Sequence, residues 1–503
     1  MTELFANLAL GFGEALSPAN LAYAFTGCLL GTLIGVLPGI GPVATIAMLL
    51  PITYSLQPTP ALIMLAGIYY GAQYGGSTTA ILVKLPGEAS SAVTCLDGYQ
   101  MARNGRAGAA LTIAALGSLF AGCVGTLLLA AFAAPMAALA LKFGPAEYFS
   151  LMVLGLVGAV VLANGTILKA VAMVVLGLLL GLVGTDVNSG LPRFSFGMPE
   201  LTDGISTAIV AMGLFGFAEI LVNLEHRVER TTLGRRIASL MPSREEVRRA
   251  VPAALRGTMI GSLLGILPGG GAMLASFAAY GVEKKVSRRP ERFGTGAPEG
   301  VAAPESANNA AAQTSFIPLL TLGIPPNAVM ALMVGAMMIH SIQPGPQVMV
   351  SNPTLFWGLI ASMWIGNLML VILNLPLIAI WIRLLAVPYR LLYPAILLFI
   401  CIGVYSLNNS TFDVYTMAFF GALGYVLVKL DCEPAPMILG YVLGPPMEEY
   451  LRRAMLLSHG DATVFLTRPI SAAMLLAAAA LLLALALPAL RSRRDVVFAE
   501  PRA

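Results

Sequence analysis

Two runs of small hydroxyl and amide side chains interrupt otherwise apolar sequence. One is Gly75-Gly76-Ser77-Thr78-Thr79; the other is Asn308-Asn309 followed by Gln313-Thr314-Ser315. At bilayer depth such groups coordinate a cation or hydrogen-bond a carboxylate without a fixed charge of their own. The first run leads into Lys84-Leu85-Pro86-Gly87-Glu88. The second begins at Pro304-Glu305-Ser306 and leads into Leu322-Gly323-Ile324-Pro325-Pro326-Asn327. Both set polar side chains beside glycine or alanine and end a short helix at a proline. Polar glue between helices is the blander role, but it needs one or two such groups rather than runs of them.

Each run is preceded by a second kind of motif. Gly27 to Gly41 reads GCLLGTLIGVLPGIG, and Gly257 to Gly271 reads GTMIGSLLGILPGGG; Pro38 and Pro268 are 230 positions apart, as are Gly39/Gly269 and Gly41/Gly271. Glycine at every fourth position gives each helix a bare backbone stripe suited to close helix packing. Packing alone does not explain why both stripes end in Pro-Gly-x-Gly. Proline removes a helix hydrogen bond and glycine adopts conformations that expose backbone N–H and C=O groups. Ions and polar solutes are suitable partners for those groups. The half-helices that follow, from Pro42 and from Ala272, offer positive dipole ends to an anion. Two glycine-broken helices in matching places of a membrane chain point to a transporter's binding site.

The elements that must position these motifs are membrane helices. Hydrophobic residues make up 58% of the 503, charged residues 11%, and mean hydropathy is +0.83. Soluble domains carry about 25% charged residues. Apolar runs follow one another along most of the chain, and a bilayer core takes about 20 residues per helical span. The fold class expected is an all-α polytopic membrane protein with roughly eleven to thirteen transmembrane helices, plus re-entrant helical hairpins. The net charge of +4 reflects arginines gathered in loops, which argues against a nucleic-acid partner. Cys28, Cys95, Cys123, Cys401 and Cys432 lack metal-ligand spacing and read as small buried hydrophobes. The N-terminus has no basic region or cleavage site of a removable signal peptide.

The arginine-rich loop from His226 to Arg256 is expected in the cytoplasm. The linker after the second broken helix, 283–293, is strongly basic, whereas its counterpart at 54–60 is uncharged. Equivalent linkers then lie on opposite faces, which makes the halves an inverted repeat; a parallel duplication is the alternative. The expected division is a first transmembrane repeat over 1–225, a cytoplasmic basic linker over 226–251, a second repeat over 252–469, and a C-terminal helix with basic tail over 470–503. Glu219 and His340 each stand in an apolar run, where a proton relay is one role and satisfying a neighbour the commoner one. Lys84, Glu88 and Asp97 border the first motif and are expected to pair with one another. No Walker sequence, zinc-binding His-Glu-x-x-His or nucleophile elbow occurs, so nothing suggests an enzyme or an ATPase.

Three long stretches carry a family resemblance: GTLIGVLPGIGPVATIAMLLPITY at 31–54, GIYYGAQYGGSTTAILVKLPGEASSAVTCLDGYQMARNGRAGAAL at 67–111, and the run from PESANNAAA to LLTLGIP at 304–325. They resemble the large membrane subunit of tripartite tricarboxylate transporters. The resemblance implies a multi-pass protein of the bacterial inner membrane that takes up carboxylates by secondary active transport. It implies a small four-helix membrane subunit and a periplasmic solute-binding protein as partners. It also implies a Na⁺ or H⁺ gradient as driving force, with no cofactor. The family commonly has Ala-Gly-Gly-Ala where Gln313-Thr314-Ser315-Phe316 stands and Gly-Ser where Pro326-Asn327 stands. Extra side chains there would narrow the cavity, which points to a substrate other than citrate. The residues expected to bind substrate and ion are Pro38, Gly39, Gly41, Pro42, Gly75, Gly76, Ser77, Thr78, Thr79, Pro268, Gly269, Gly270, Gly271, Asn308, Asn309, Thr314, Ser315 and Pro325, with backbone carbonyls near Gly39 and Gly269 as a candidate Na⁺ site. A passive anion channel with glycine-lined re-entrant loops and a structural membrane scaffold are the competing readings.

Overall fold

The computed structural model describes residues 2–37, 41–163, 166–186, 189–225, 239–269, 271–385 and 389–486. Within them the chain is almost wholly helical. The β-structure described is one antiparallel pair of two-residue strands, Gly184–Thr185 and Pro192–Arg193. The helices that position the site are α1 (Pro18–Gly35), α2 (Pro42–Thr53), α3 (Pro58–Val83), α4 (Ala107–Ala140), α5 (Pro145–Leu162), α6 (Arg244–Ile266), α7 (Gly271–Val286), α8 (Glu299–Thr314), α9 (Ala328–Ile339), α10 (Pro353–Asn374) and α11 (Pro434–Leu457). Proline opens six of these, at the first helical turn where its missing N–H costs nothing.

Four segments among the described residues are long and apolar enough to cross a membrane: Thr94–Ala140, Pro145–Leu162, Pro353–Asn374 and Thr411–Lys429. Further apolar helices, including α2 and α9, are shorter. The centre is formed by α3 and α8. Every residue from Ala61 to Val83 and from Glu299 to Thr314 is buried. The basic segment expected as a linker splits: 226–238 lies outside the described residues, and 244–251 forms the first turns of α6. At the C-terminal end a helix covers Pro469–Ala486, and 487–503 lies outside the described residues. Among the cysteines, Cys28 and Cys95 are buried, the other three are half-buried, and all are free.

Both glycine stripes are used for helix packing. A Cβ added at Gly27, Gly31 or Gly35 would strike the backbone carbonyl of Met64, Ile68 or Ala72 on α3. One added at Gly257, Gly261 or Gly265 would strike that of Ala303, Ala307 or Ala311 on α8. The same residue on every turn thus seats α1 on α3 and α6 on α8 at backbone contact. The polar runs end alike too. Lys84 (φ 60°) and Gly323 (φ 73°) take left-handed conformations that close their helices. Each is followed by a proline turn and then by a residue at a helix N-cap, Glu88 or Asn327.

The expected pairing of Lys84, Glu88 and Asp97 does not occur. Asp97 instead accepts from the N–H groups of Gly294, Gly296 and Ala297 at 2.7–2.9 Å and from the Tyr280 hydroxyl at 2.9 Å. Three of these donors directly follow the basic linker and the fourth is on α7, so the first half holds the second through one buried carboxylate. Asp97→Ala leaves four donors without an acceptor. It is expected to destabilise the chain by about 3 kcal/mol or more, read as a lowered thermal unfolding midpoint in detergent. Asp97→Asn, which keeps one acceptor oxygen, should lose less; equal losses would show that the carboxylate's bonds are not what matters.

Candidate functional site

Beside Gly41 and Gly269, where the two glycine-striped segments give way to α2 and α7, lies a cavity of about 550 Å³, within the range that holds a small organic ligand. The N-termini of α2, α7, α9 and α11 all reach it: Gly41 to Ala44, Gly271 to Met273, Asn327 to Val329 and Glu433 to Pro436 line its wall. A helix N-terminus carries roughly half a positive charge on its unpaired N–H groups. The cap at α9 is filled, because Asn327 Oδ1 accepts from Met330 N at 3.0 Å. Gly41 at α2 and Glu433 at α11 provide no side-chain cap bond. Expectation from sequence covered α2 and α7; α9 and α11 are additional.

The remaining wall is largely apolar, with Ala159, Leu162, Phe215 and Leu439 on it, and sets a few polar groups among them. Gln73 lines it, is fully buried, and has no hydrogen-bond partner for either amide atom. Glu88, Glu219 and Glu433 line it, and no lysine, arginine or histidine does among the described residues. His340 does not reach the cavity, whereas Glu219, weighed with it as a relay, does. A ligand here meets converging helix dipoles, an unpaired amide and three carboxyl groups. That combination suits an anion accompanied by a cation or a proton.

The residues expected to bind divide into three groups. Gly41, Pro42, Gly269 and Gly271 line the cavity. Pro38, Gly39 and Gly270 lie outside the described residues, and with them the carbonyl site near Gly39. The others sit behind the wall. Asn308 Nδ2 donates to Glu88 Oε1 at 3.0 Å, and Ser90 Oγ donates to the same oxygen at 2.5 Å, which sets that carboxylate at the cavity edge. Gly76 admits Glu88: a Cβ there would lie 3.1 Å from Glu88 Cγ. Gly75 packs against the Thr32 carbonyl. Thr79 donates to the Val36 carbonyl at 2.7 Å, tying α3 to the end of α1. Ser315 lies within hydrogen-bonding distance of the Gly265 carbonyl at 3.2 Å and accepts from Asn327 Nδ2 at 3.1 Å. Thr78 and Thr314 hydrogen-bond the carbonyls of Tyr74 and Ala310 in their own helices. Asn309 donates to Ser118 Oγ at 2.7 Å. Pro325 is buried in the second turn, and Pro268 packs against Gly158. Gly269 N donates to the Pro326 carbonyl at 2.7 Å, joining the second tip to the second turn.

Sequence reasoning placed Glu305 at the start of the second polar run and gave it no role. Glu305 is 1% exposed and receives Ser77 Oγ on one oxygen and Thr94 Oγ1 on the other, each at 2.5 Å. Of the substituted positions expected to narrow the cavity, Asn327 does line it, whereas Gln313 to Phe316 do not. The side chain of Phe316 packs by Tyr70, ring centres 6.3 Å apart.

A model of the tripartite tricarboxylate transporter TctA family matches residues 21–439. An uncharacterized 52.8 kDa protein of the TAR-I ttuC' 3' region of Agrobacterium vitis is 61% identical over 500 residues, which cover 99% of this chain and all of that protein. An uncharacterized protein of the TAR-II ttuC' 3' region of the same organism is 65% identical over 241 residues, 48% of this chain and 99% of that protein. No solved structure matches.

Proposed function

The chain belongs to the tripartite tricarboxylate transporter TctA family, and from that premise we propose that it is the large subunit of a secondary active carrier. It takes up a di- or tricarboxylate, a citrate-like organic anion, across the bacterial inner membrane. A periplasmic binding protein delivers the substrate, and a small four-helix subunit completes the complex. Uptake is driven by a Na⁺ or H⁺ gradient and involves no catalysis. The observation that carries this reading is the convergence of four helix N-termini on one cavity. Backbone N–H groups of α2 and α7 and the Gln73 amide receive the substrate's oxygens. Glu88, Glu219 and Glu433 oppose a bare anion there, so substrate binding and cation or proton binding favour one another.

The matching stripes, left-handed closures and proline turns support two inverted repeats, each with a re-entrant hairpin around its broken helix. Backbone off the helix ladder is tolerated in a membrane where it lines a cavity. One helical bundle moving against the other would then give alternating access. Asn327 at the cavity supports a substrate other than citrate.

The test is uptake of ¹⁴C-labelled malate, succinate and citrate into proteoliposomes holding the whole complex. The expected result is saturable uptake of a dicarboxylate that collapses with the ion gradient. High-affinity citrate uptake would contradict the substrate preference, and ohmic conductance would favour a channel.

A further inference from the structure

Behind the main cavity, α3, α4 and α10 enclose a second cavity of about 10 Å³, room for one water-sized particle. Its wall carries five oxygen-bearing side chains: Tyr74, Ser77, Thr78, Ser118 and Asn374. Two of these oxygens, the Tyr74 hydroxyl and Asn374 Oδ1, have no hydrogen-bond partner, although the residues are only 4% and 3% exposed. The Asn374 amide nitrogen donates to the Leu370 carbonyl at 2.9 Å. Turning the amide over would set two oxygens against each other, so the unpaired atom is the acceptor. Ser118 Oγ already receives Asn309 Nδ2 and keeps one lone pair.

The same spot holds a buried carboxyl group with no positive partner among the described residues. Ser77 connects this cavity to Glu305, and no ion pair among the described residues includes Glu305. A buried carboxylate without a positive partner is strongly disfavoured. Buried oxygens without donors are disfavoured as well.

We propose that this small cavity binds Na⁺, with the oxygens of Tyr74, Ser77, Thr78, Ser118 and Asn374 as ligands and Glu305 as the charge partner behind Ser77. One cation answers both deficits. A water molecule would satisfy the oxygens and leave the carboxylate unpaired, whereas a proton on Glu305 would do the reverse. A divalent ion is poorly matched, because only one carboxylate is at hand and the described residues contain no group of three or more His, Cys, Asp or Glu suited to a metal. The ligands come from both halves of the chain, with α3 and α4 on one side and α10 on the other. Tyr69 and Gln73, one turn before this site on α3, line the larger cavity. An ion that fixes α3 therefore prepares the carboxylate site. That coupling rests on the carrier reading above; ion binding itself does not.

The test uses the purified full-length chain in detergent, with thermal unfolding followed at constant ionic strength in NaCl, KCl or choline chloride. Wild type should be stabilised saturably by Na⁺ alone. Thr78→Val and Ser118→Ala, which keep shape and remove one oxygen each, should weaken the apparent Na⁺ affinity about tenfold. No Na⁺-specific stabilisation, or an effect equal in both variants and wild type, would overturn the proposal. A second arm measures ¹⁴C-malate, succinate and citrate uptake by the complex. Uptake driven by a pH gradient in Na⁺-free medium would contradict the site while leaving the carrier standing. No uptake under either gradient, together with Na⁺-specific stabilisation lost in the variants, would remove the carrier reading and support the site.

Discussion

Gly31→Leu and Gly261→Leu proteins are each expected to fail to accumulate as folded chain. A Cβ at either position would fall inside the facing backbone carbonyl, of Ile68 or of Ala307. Overpacking usually costs about 1–3 kcal/mol because side chains can give way. Here the obstacle is backbone, so the pair of helices must separate. Within lipid, packing is itself the main force that holds helices together, and the loss should exceed about 4 kcal/mol. Gly13→Leu and Gly281→Leu provide the comparison, since a Cβ at those positions meets nothing within 4 Å. The readout is the monodisperse fraction on gel filtration in detergent. Normal assembly of Gly31→Leu would mean that backbone contact between α1 and α3 is dispensable.

The second large effect separates function from stability. Ala272 is half-buried at the first turn of α7 and lines the cavity. Ala272→Glu puts a carboxylate where the substrate's carboxylate is proposed to bind. The same charge at a helix N-terminus stabilises the helix by a few tenths to about 1 kcal/mol. The three carboxyl groups on the wall offset part of that gain, so the protein should fold about as well as wild type and transport poorly. Uptake should drop about hundredfold, the factor that about 2.7 kcal/mol of lost anion binding gives. Ala272→Gln, equal in size and neutral, should keep most of the uptake. If the two variants lose uptake alike, bulk rather than charge is responsible and the dipole argument fails.

Much of this arrangement can be read from the residues in order. The constant separation of Pro38 and Pro268 marks where both striped helices have ended, and the glycine spacing foretells the backbone contacts that α1 and α6 make. Prolines at 42 and 434 mark the starts of helices that meet at the cavity, but only the first stood beside a motif. Glu433 and Asn327 reach the cavity through tertiary contacts that no local pattern reports. The hydroxyl runs lie off the larger cavity for a different reason. Counting donors by residue type ignores the tendency of Ser and Thr in a helix to bond the carbonyl four residues earlier, as Thr78, Thr314 and Ser315 do. Glu305 stood in the second run without a role because nothing near it in sequence pairs with a carboxylate. Its partners, Ser77 and Thr94, are 228 and 211 positions away.

The carrier reading turns on whether a carboxylate occupies the cavity where the helix N-termini meet. Val43 lies in the first turn of α2, half-buried on the cavity wall. In the Val43→Cys protein, the rate at which a negatively charged methanethiosulfonate modifies residue 43 can be followed by mass spectrometry of that peptide. The reagent is itself drawn to the helix dipoles, so malate, succinate or citrate should compete with it. Slowing of about tenfold at saturating concentration of at least one of them is the predicted result. A rate unchanged by all three, in protein that transports one of them, would place the substrate elsewhere and contradict the account.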